Sequence, residues 1–337
     1  MAHVGMDRVQ AGFDRAQVAW NHSGGVMIVP SYFSIGANAV KKSTDYGVTW
    51  ATVGSLGSTP YGKIARSPGV LMCGISNFAI GQLWRSVNEG VDFTMVYQSS
   101  VGAAMRGICW CGGDTWLAGA DWAGSPFTGE IVKSTNRGVS WSQVATHTVK
   151  KVVYCGGTTC IAFGALASGG LYYSKIWKST DLGSTWTEVY SAATTLSGFG
   201  YTFFAAAFLG DGVLVAGEST SLSAGYVLRS TDNGATWTRG AAHGRVFSIA
   251  TCGDGTAVFV KYAAGAYPLM RSADAGITWA QTGSMATCRA LGGFDGGIMI
   301  AAPHNTGPYW KRSNDSGASW SDISEATFDV WDFVGLT

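Results

Sequence analysis

Three carboxylates interrupt stretches that are otherwise poor in charge: Asp121, Glu130 and Glu218. Hydrolysis of a glycosidic bond needs two carboxyl groups held about 5–10 Å apart across that bond. Asp121 and Glu218 are the candidate pair, and they meet the demand only if the segments carrying them fold toward each other. The histidines do not extend the site. His3, His22, His147, His243 and His304 are scattered, with no spacing for a nucleophile and base or for a metal-ligand set. The expectation is that nothing beyond this weak pair is catalytic, and that no metal or cofactor is required.

A second set of residues suits binding rather than bond cleavage. Arg15, Lys63, Arg106, Lys150 or Lys151 (with Lys151 taken as the contributor), Arg245 and Arg289 recur at similar points of successive repeats, and one repeat carries Phe203 and Phe204 instead. Gathered around one opening, such cations would focus a positive potential and bind a carboxylated glycan, a phosphate or an acidic peptide. The alternative is that long cationic side chains merely snorkel from a crowded surface into solvent. Aromatic residues lie in Gly- and Ser-rich segments between apolar runs, with Trp122, Tyr172, Tyr226 and Tyr309 foremost. Loops carrying aromatics on a rigid scaffold are common recognition surfaces.

What positions these residues is a repeat. The octapeptide Ser43-Thr-Asp-Tyr-Gly-Val-Thr-Trp50 recurs in related form from Ser86, Ser134, Ser179, Ser230, Ser272 and Ser313, at intervals of 43, 48, 45, 51, 42 and 41 residues. That period suits one four-stranded propeller blade. The third position is always Asp or Asn (Asp45, Asn88, Asn136, Asp181, Asp232, Asp274, Asp315) and can bond backbone amides two residues on. The Gly at the fifth accepts positive φ, and the last residue is Trp in every copy except Phe93. Each octapeptide is therefore a self-stapled hairpin turn between strands C and D, whose aromatic fills the space between neighbouring hairpins.

Two further apolar runs separated by Gly-rich turns precede each octapeptide and supply strands A, B and C. The predicted architecture is all-β: one seven-bladed β-propeller spanning 1–337, four antiparallel strands per blade, with blades over 17–322 after an N-terminal extension at 1–14. Alternation of strand direction puts the octapeptides and the short A–B turns on one face. The B–C loops, at 31–39, 120–130, 165–175, 218–226 and 303–309, and the cations share the other. Residues 328–334 read as an extra strand A that either latches the ring beside 17–20 or leads into a partner.

Composition bounds the partners. Of 337 residues, 47% are apolar and 13% charged, with a net charge of +1, which gives no general electrostatic reason for duplex nucleic acid or an anionic membrane. No apolar window is long enough for a membrane span, and the first residues, which include Asp7, Arg8 and Asp14, do not resemble a secretory signal. Synthesis in the cytoplasm is the expectation. Seven scattered cysteines read as reduced, buried small residues.

The seven Ser-x-Asp-x-Gly-x-Thr-Trp octapeptides resemble the bacterial-neuraminidase (BNR), or Asp-box, repeat over about 17–322. The resemblance implies a sialidase-like propeller fold but not one function, because similar repeats occur in sialidases, xyloglucan-degrading enzymes, sortilin-type receptors, photosystem assembly factors and bacteriophage appendages. Sialidases of this kind carry an Arg-Ile-Pro signature, and this chain has none. The resemblance therefore favours a non-enzymatic recognition or assembly module, with a virion tail or appendage component first. Its partners would be other virion proteins or a cell-surface glycan, with synthesis in the cytoplasm followed by assembly into a virion. A diverged glycoside hydrolase and an assembly-factor propeller with a basic loop face are the alternatives.

Overall fold

The computed structural model describes residues 26–30, 39–56, 61–76, 81–101, 104–121, 129–168, 171–194, 203–220, 224–263, 265–303, 309–323, 330 and 334–336. Strands alternate with turns throughout, as the period-two apolar runs and Gly-rich punctuation dictate. Blade one contains β1 (Val26–Pro30), β2 (Ala39–Ser43) and β3 (Ala51–Ser55). Blade two is β4 (Tyr61–Ser67), β5 (Val70–Ser76), β6 (Gly81–Ser86) and β7 (Thr94–Gln98), and blade three is β8 (Ala104–Trp110), β9 (Trp116–Asp121), β10 (Glu130–Ser134) and β11 (Ser142–Ala145). Blade four holds β12 (Thr148–Tyr154), β13 (Cys160–Ser168), β14 (Leu171–Ser179) and β15 (Thr187–Thr194), and blade five β16 (Phe203–Gly210), β17 (Val213–Ser219), β18 (Gly225–Ser230) and β19 (Thr238–Ala242). Blade six is β20 (Val246–Thr251), β21 (Ala257–Lys261), β22 (Tyr267–Ser272) and β23 (Ala280–Met285); blade seven is β24 (Ala290–Phe294), β25 (Ile298–Ala302), β26 (Trp310–Ser313) and β27 (Ser321–Ile323). The last strand, β28 (Val334–Leu336), joins blade one in the order β28-β1-β2-β3.

The result is a seven-bladed β-propeller of seven four-stranded antiparallel sheets. The inner strands β4, β8, β12, β16, β20 and β24 touch in sequence around the axis, and β28 meets β4. The chain's last strand thus latches the ring, but against a different segment from the one expected. Val26 pairs with Leu336 and Ile28 with Val334, so the partner is Val26–Pro30 rather than 17–20, which lies outside the described residues. Val330, inside the predicted 328–334 run, is instead buried in the core between blades seven and one.

Every octapeptide lies between the third and fourth strands of its blade. In the first, Ser43 Oγ accepts from the Gly47 amide at 2.8 Å and donates to Asp45 Oδ1 at 2.7 Å, and Asp45 accepts from the Thr49 amide at 2.8 Å. The aspartate thus reaches four residues on, not two as expected, because two consecutive residues with positive φ, Tyr46 at 56° and Gly47 at 85°, curl the chain back toward it. Six octapeptide glycines, Gly47, Gly138, Gly183, Gly234, Gly276 and Gly317, also seat against the preceding blade. A Cβ on Gly47 would lie 2.3 Å from Ile300 Cδ1, which places blade one directly on blade seven and closes the circle.

The core is divided into seven apolar clusters, one per blade interface, and each receives the octapeptide aromatic of a bordering blade. Trp50 meets the fully buried Trp310 at 5.2 Å between centroids, and Trp237 meets Phe163 at 5.4 Å. Such aromatic pairs contribute about 0.5–1.5 kcal/mol beyond their burial. All seven cysteines are free and buried. Burial holds the Cys111 thiol, 3.7 Å from Cys160 Sγ, well above its ordinary pKa.

Candidate functional site on the loop face

The face opposite the octapeptides carries most of the predicted site residues, and backbone irregularities re-aim side chains at the start of several inner strands. In blades three to six the inner strand bulges near its start, at Arg106, Lys150, Phe204 and Phe247. A bulge leaves one residue unpaired and re-aims its side chain. In blade four the bulge residue is Lys150, the other of the two lysines expected there, and its ammonium lies 3.6 Å from Asp121 Oδ2. Arg106 Nε lies 2.8 Å from Asp121 Oδ1.

This three-residue cluster is enclosed, with the side chains of Asp121 and Lys150 only 4% and 7% exposed and that of Arg106 at 37%. Burial pushes the Lys150 ammonium down to a pKa of about 8; Asp121 opposes that shift, while Arg106 and Arg245 add repulsion. Arg245 and Arg289 then converge on one ring, their guanidinium carbons 4.7 and 5.2 Å from the Phe247 centroid. Arg106, Lys150, Arg245 and Arg289 thus form one positive region, in which Asp121 is paired to Arg106 and Lys150. Lys63 lies in β4, whose pairing has no bulge, and Arg15 falls outside the described residues.

The candidate carboxylate pair is not assembled as a pair. Asp121 is committed to Arg106 and Lys150, whereas Glu218, fully buried at the end of β17, lies 2.8 Å from Arg239 Nη2. Tyr190, from blade four, donates its phenol to Glu218 at 3.3 Å and accepts from Arg239 at 3.0 Å, and the guanidinium sits 4.6 Å from the Tyr226 centroid. Burial, reinforced by Glu218, lifts the Tyr190 phenol to a pKa of about 12, so it stays protonated near neutral pH. Glu130 is also fully buried and accepts from the Tyr97 phenol at 3.0 Å.

The aromatic loop residues separate. Tyr226 is the platform under Arg239, Tyr309 is 51% exposed at the start of blade seven's third strand, and Trp122 lies outside the described residues. Tyr172 is not in a loop at all. The expected 165–175 loop is an extension of the hairpin, with Leu166 paired to Tyr173 and Ala167 to Tyr172, and β15 running alongside to Thr194. Alternating apolar and aromatic residues with few glycines continue the pairing here. Phe203, expected at the mouth, instead packs into the blade four–five core, 5.5 Å from Phe163. His147 stacks on Trp177 at 4.4 Å.

Sequence reasoning missed another regularity: the residue before every octapeptide serine is cationic (Lys42, Arg85, Lys133, Lys178, Arg229, Arg271, Arg312). Several of these strap the octapeptide of the next blade, as Arg85 does to the Arg137 carbonyl at 2.8 Å and Arg229 to the Ala275 carbonyl at 2.7 Å. Among the described residues no group of three or more His, Cys, Asp or Glu side chains could hold a metal ion, and no helix is long and apolar enough to cross a membrane.

No protein-family profile matches the sequence, and no curated protein matches it. Solved structures do. A candidate 6-phosphogluconolactonase from Bacteroides fragilis is 9% identical, with 93% of this chain and 98% of that one covered at a TM-score of 0.63. Sqt1 from Saccharomyces cerevisiae is 11% identical, with 95% and 91% covered at 0.57. YCF48 from Cyanidioschyzon merolae is 13% identical, with 84% and 90% covered at 0.55. At these identities the likeness is one of fold.

Proposed function

We propose that this chain is a non-enzymatic recognition propeller of the assembly-factor kind, which docks an acidic segment of a protein partner on its loop face. The observation that carries the reading is the convergence of Arg245 and Arg289 on Phe247, beside a buried Lys150 whose nearest counterion is already shared with Arg106. Guanidiniums held over an aromatic ring are pre-organised to grip carboxylates in two-pronged fashion. The assembly-factor alternative drawn from the repeat resemblance uses a basic patch on this same face. The virion-appendage reading rests on resemblance in the octapeptides, and those residues are occupied by their own turns. A hydrolase reading needs Asp121 and Glu218 to act together, whereas each is bonded within a separate cationic cluster.

The test is titration of the protein with a labelled Glu-rich peptide and a neutral peptide of equal length at low and moderate salt. The acidic peptide binds, more weakly as salt screens the cations over about 8–10 Å. Paired R245E and R289E substitutions reduce that binding at least tenfold while shifting stability by about 2 kcal/mol, the scale of two half-buried cation–π contacts. Arg106 is left intact, because reversing it would set a carboxylate against Asp121. Binding indifferent to both salt and reversal would move recognition elsewhere, and turnover on sialosides abolished by D121N or E218Q would replace the reading with catalysis.

A further inference from the structure

The loop face holds two versions of one arrangement, and they differ by a single charged group. Tyr97 and Tyr190 occupy the same place in their repeats, each eleven residues after its octapeptide serine, Ser86 or Ser179. Each donates its phenol to a fully buried carboxylate of the next blade, Tyr97 to Glu130 at 3.0 Å and Tyr190 to Glu218 at 3.3 Å. The two carboxylates come from cross-paired positions: Glu218 faces Tyr226 across β17 and β18, and Glu130 faces Ala120 across β10 and β9. One blade supplies the acid from its second strand and the other from its third.

Between blades four and five the charge is answered. Arg239, nine residues after Ser230 on the outer strand β19, places its guanidinium 2.8 Å from Glu218 and 3.0 Å from the Tyr190 oxygen. Between blades two and three the residue nine after Ser134 is Gln143, an exposed side chain on the outer strand β11 whose amide donates to the Ala145 carbonyl at 3.5 Å. Glu130 Oε1 is buried with no hydrogen-bond partner among the described residues. A buried carboxylate without a cation bears its full desolvation cost.

We propose that the slot between blades two and three is a receptor for a cationic side chain, guanidinium or alkylammonium, of a protein partner. The cation enters over the exposed edge strand β11, by the route Arg239 takes from β19, and pairs with Glu130 beside the Tyr97 phenol. A metal ion does not fit the donors, which are one carboxylate and one protonated phenol, whereas a guanidinium satisfies both, as its intramolecular counterpart does at Glu218 and Tyr190. The site is separate from the Arg245–Arg289 region and stands whether or not that region binds acidic segments.

The experiment is calorimetric titration of the full chain with N-acetyl-arginine amide, its uncharged isostere N-acetyl-citrulline amide, guanidinium chloride at matched ionic strength, and a short Arg-containing peptide. Expected results are saturable binding of the arginine amide, none of the citrulline amide, and tighter binding of the peptide than of free guanidinium. E130Q loses the arginine interaction at least tenfold without a lower melting temperature. Q143R, which supplies the missing guanidinium from within, also loses it and melts higher than the parent. No saturable binding, equal binding of citrulline, binding unchanged in E130Q, free guanidinium as tight as the peptide, or a Q143R protein that melts lower and still binds would each overturn the proposal.

Discussion

The two faces of the ring use carboxylates in opposite ways. On the octapeptide face five of the seven turns carry an aspartate, exposed or half-buried, that bonds to its own backbone and to a hydroxyl of the same turn, as Asp232 does to the Thr236 amide and Oγ1 at 2.9 and 2.6 Å. On the loop face Asp121, Glu130 and Glu218 are buried, and each meets a different environment. Repetition therefore marks residues that build the fold, and departures from repetition mark residues whose charge must be answered by something particular. The same functional group is cheap to lose in the first setting and expensive in the second.

That contrast can be broken most directly at Asp121. Asp121→Ala leaves Arg106 and Lys150 side by side in a buried site, and the expected loss is about 3–5 kcal/mol in chemical denaturation, the cost of breaking a buried ion pair by removing one partner. A loss no greater than that of an octapeptide aspartate would erase the distinction between the faces. Asp232→Ala removes turn bonds at an exposed site and is expected to cost about 1–2 kcal/mol by the same measurement.

Two pH effects sharpen the contrast. Bonds from the hydroxyl and amide of Thr278 hold Asp274 at a pKa of about 2, and those of Ser319 do the same for Asp315. Because these folded values lie below the ordinary 3.8, their stabilisation is present above about pH 4 and is lost as pH falls toward 2, and D274N should flatten part of that acid limb. Lys150 behaves in the opposite sense. Its folded pKa of about 8 lies below the ordinary 10.5, so the unfolded chain holds the proton more tightly and stability rises between pH 8 and 10.5. Acidic-peptide binding should weaken over the same rise, as the site loses a charge. A K150M protein that keeps both slopes would show that another group is responsible.

The blade count and the octapeptide positions were legible because a turn that staples itself leaves its chemistry in adjacent residues. The positive φ of the fourth residue was not, since Tyr46, Glu89, Arg137, Leu182, Asn233, Ala275 and Ser316 share no side-chain type. The choice between Lys150 and Lys151 turned on a bulge, a one-residue change of phase that leaves composition unaltered. The straps could have been found, because a cation precedes every octapeptide serine. The Tyr–Glu pairs could not be found from spacing, since the two glutamates come from different strands and meet phenols of another blade.

The latch of β28 onto β1 also sets a timetable. The two strands are separated by about 300 residues, so at about 5–20 residues per second β1 waits on the order of 15–60 s after synthesis for its partner. Throughout that interval the nascent chain presents an unpaired strand edge, the kind of surface that invites pairing with a neighbouring chain. Chaperone demand and misassembly on crowded ribosomes should therefore concentrate at blade one, the blade assembled from both distant parts of the chain.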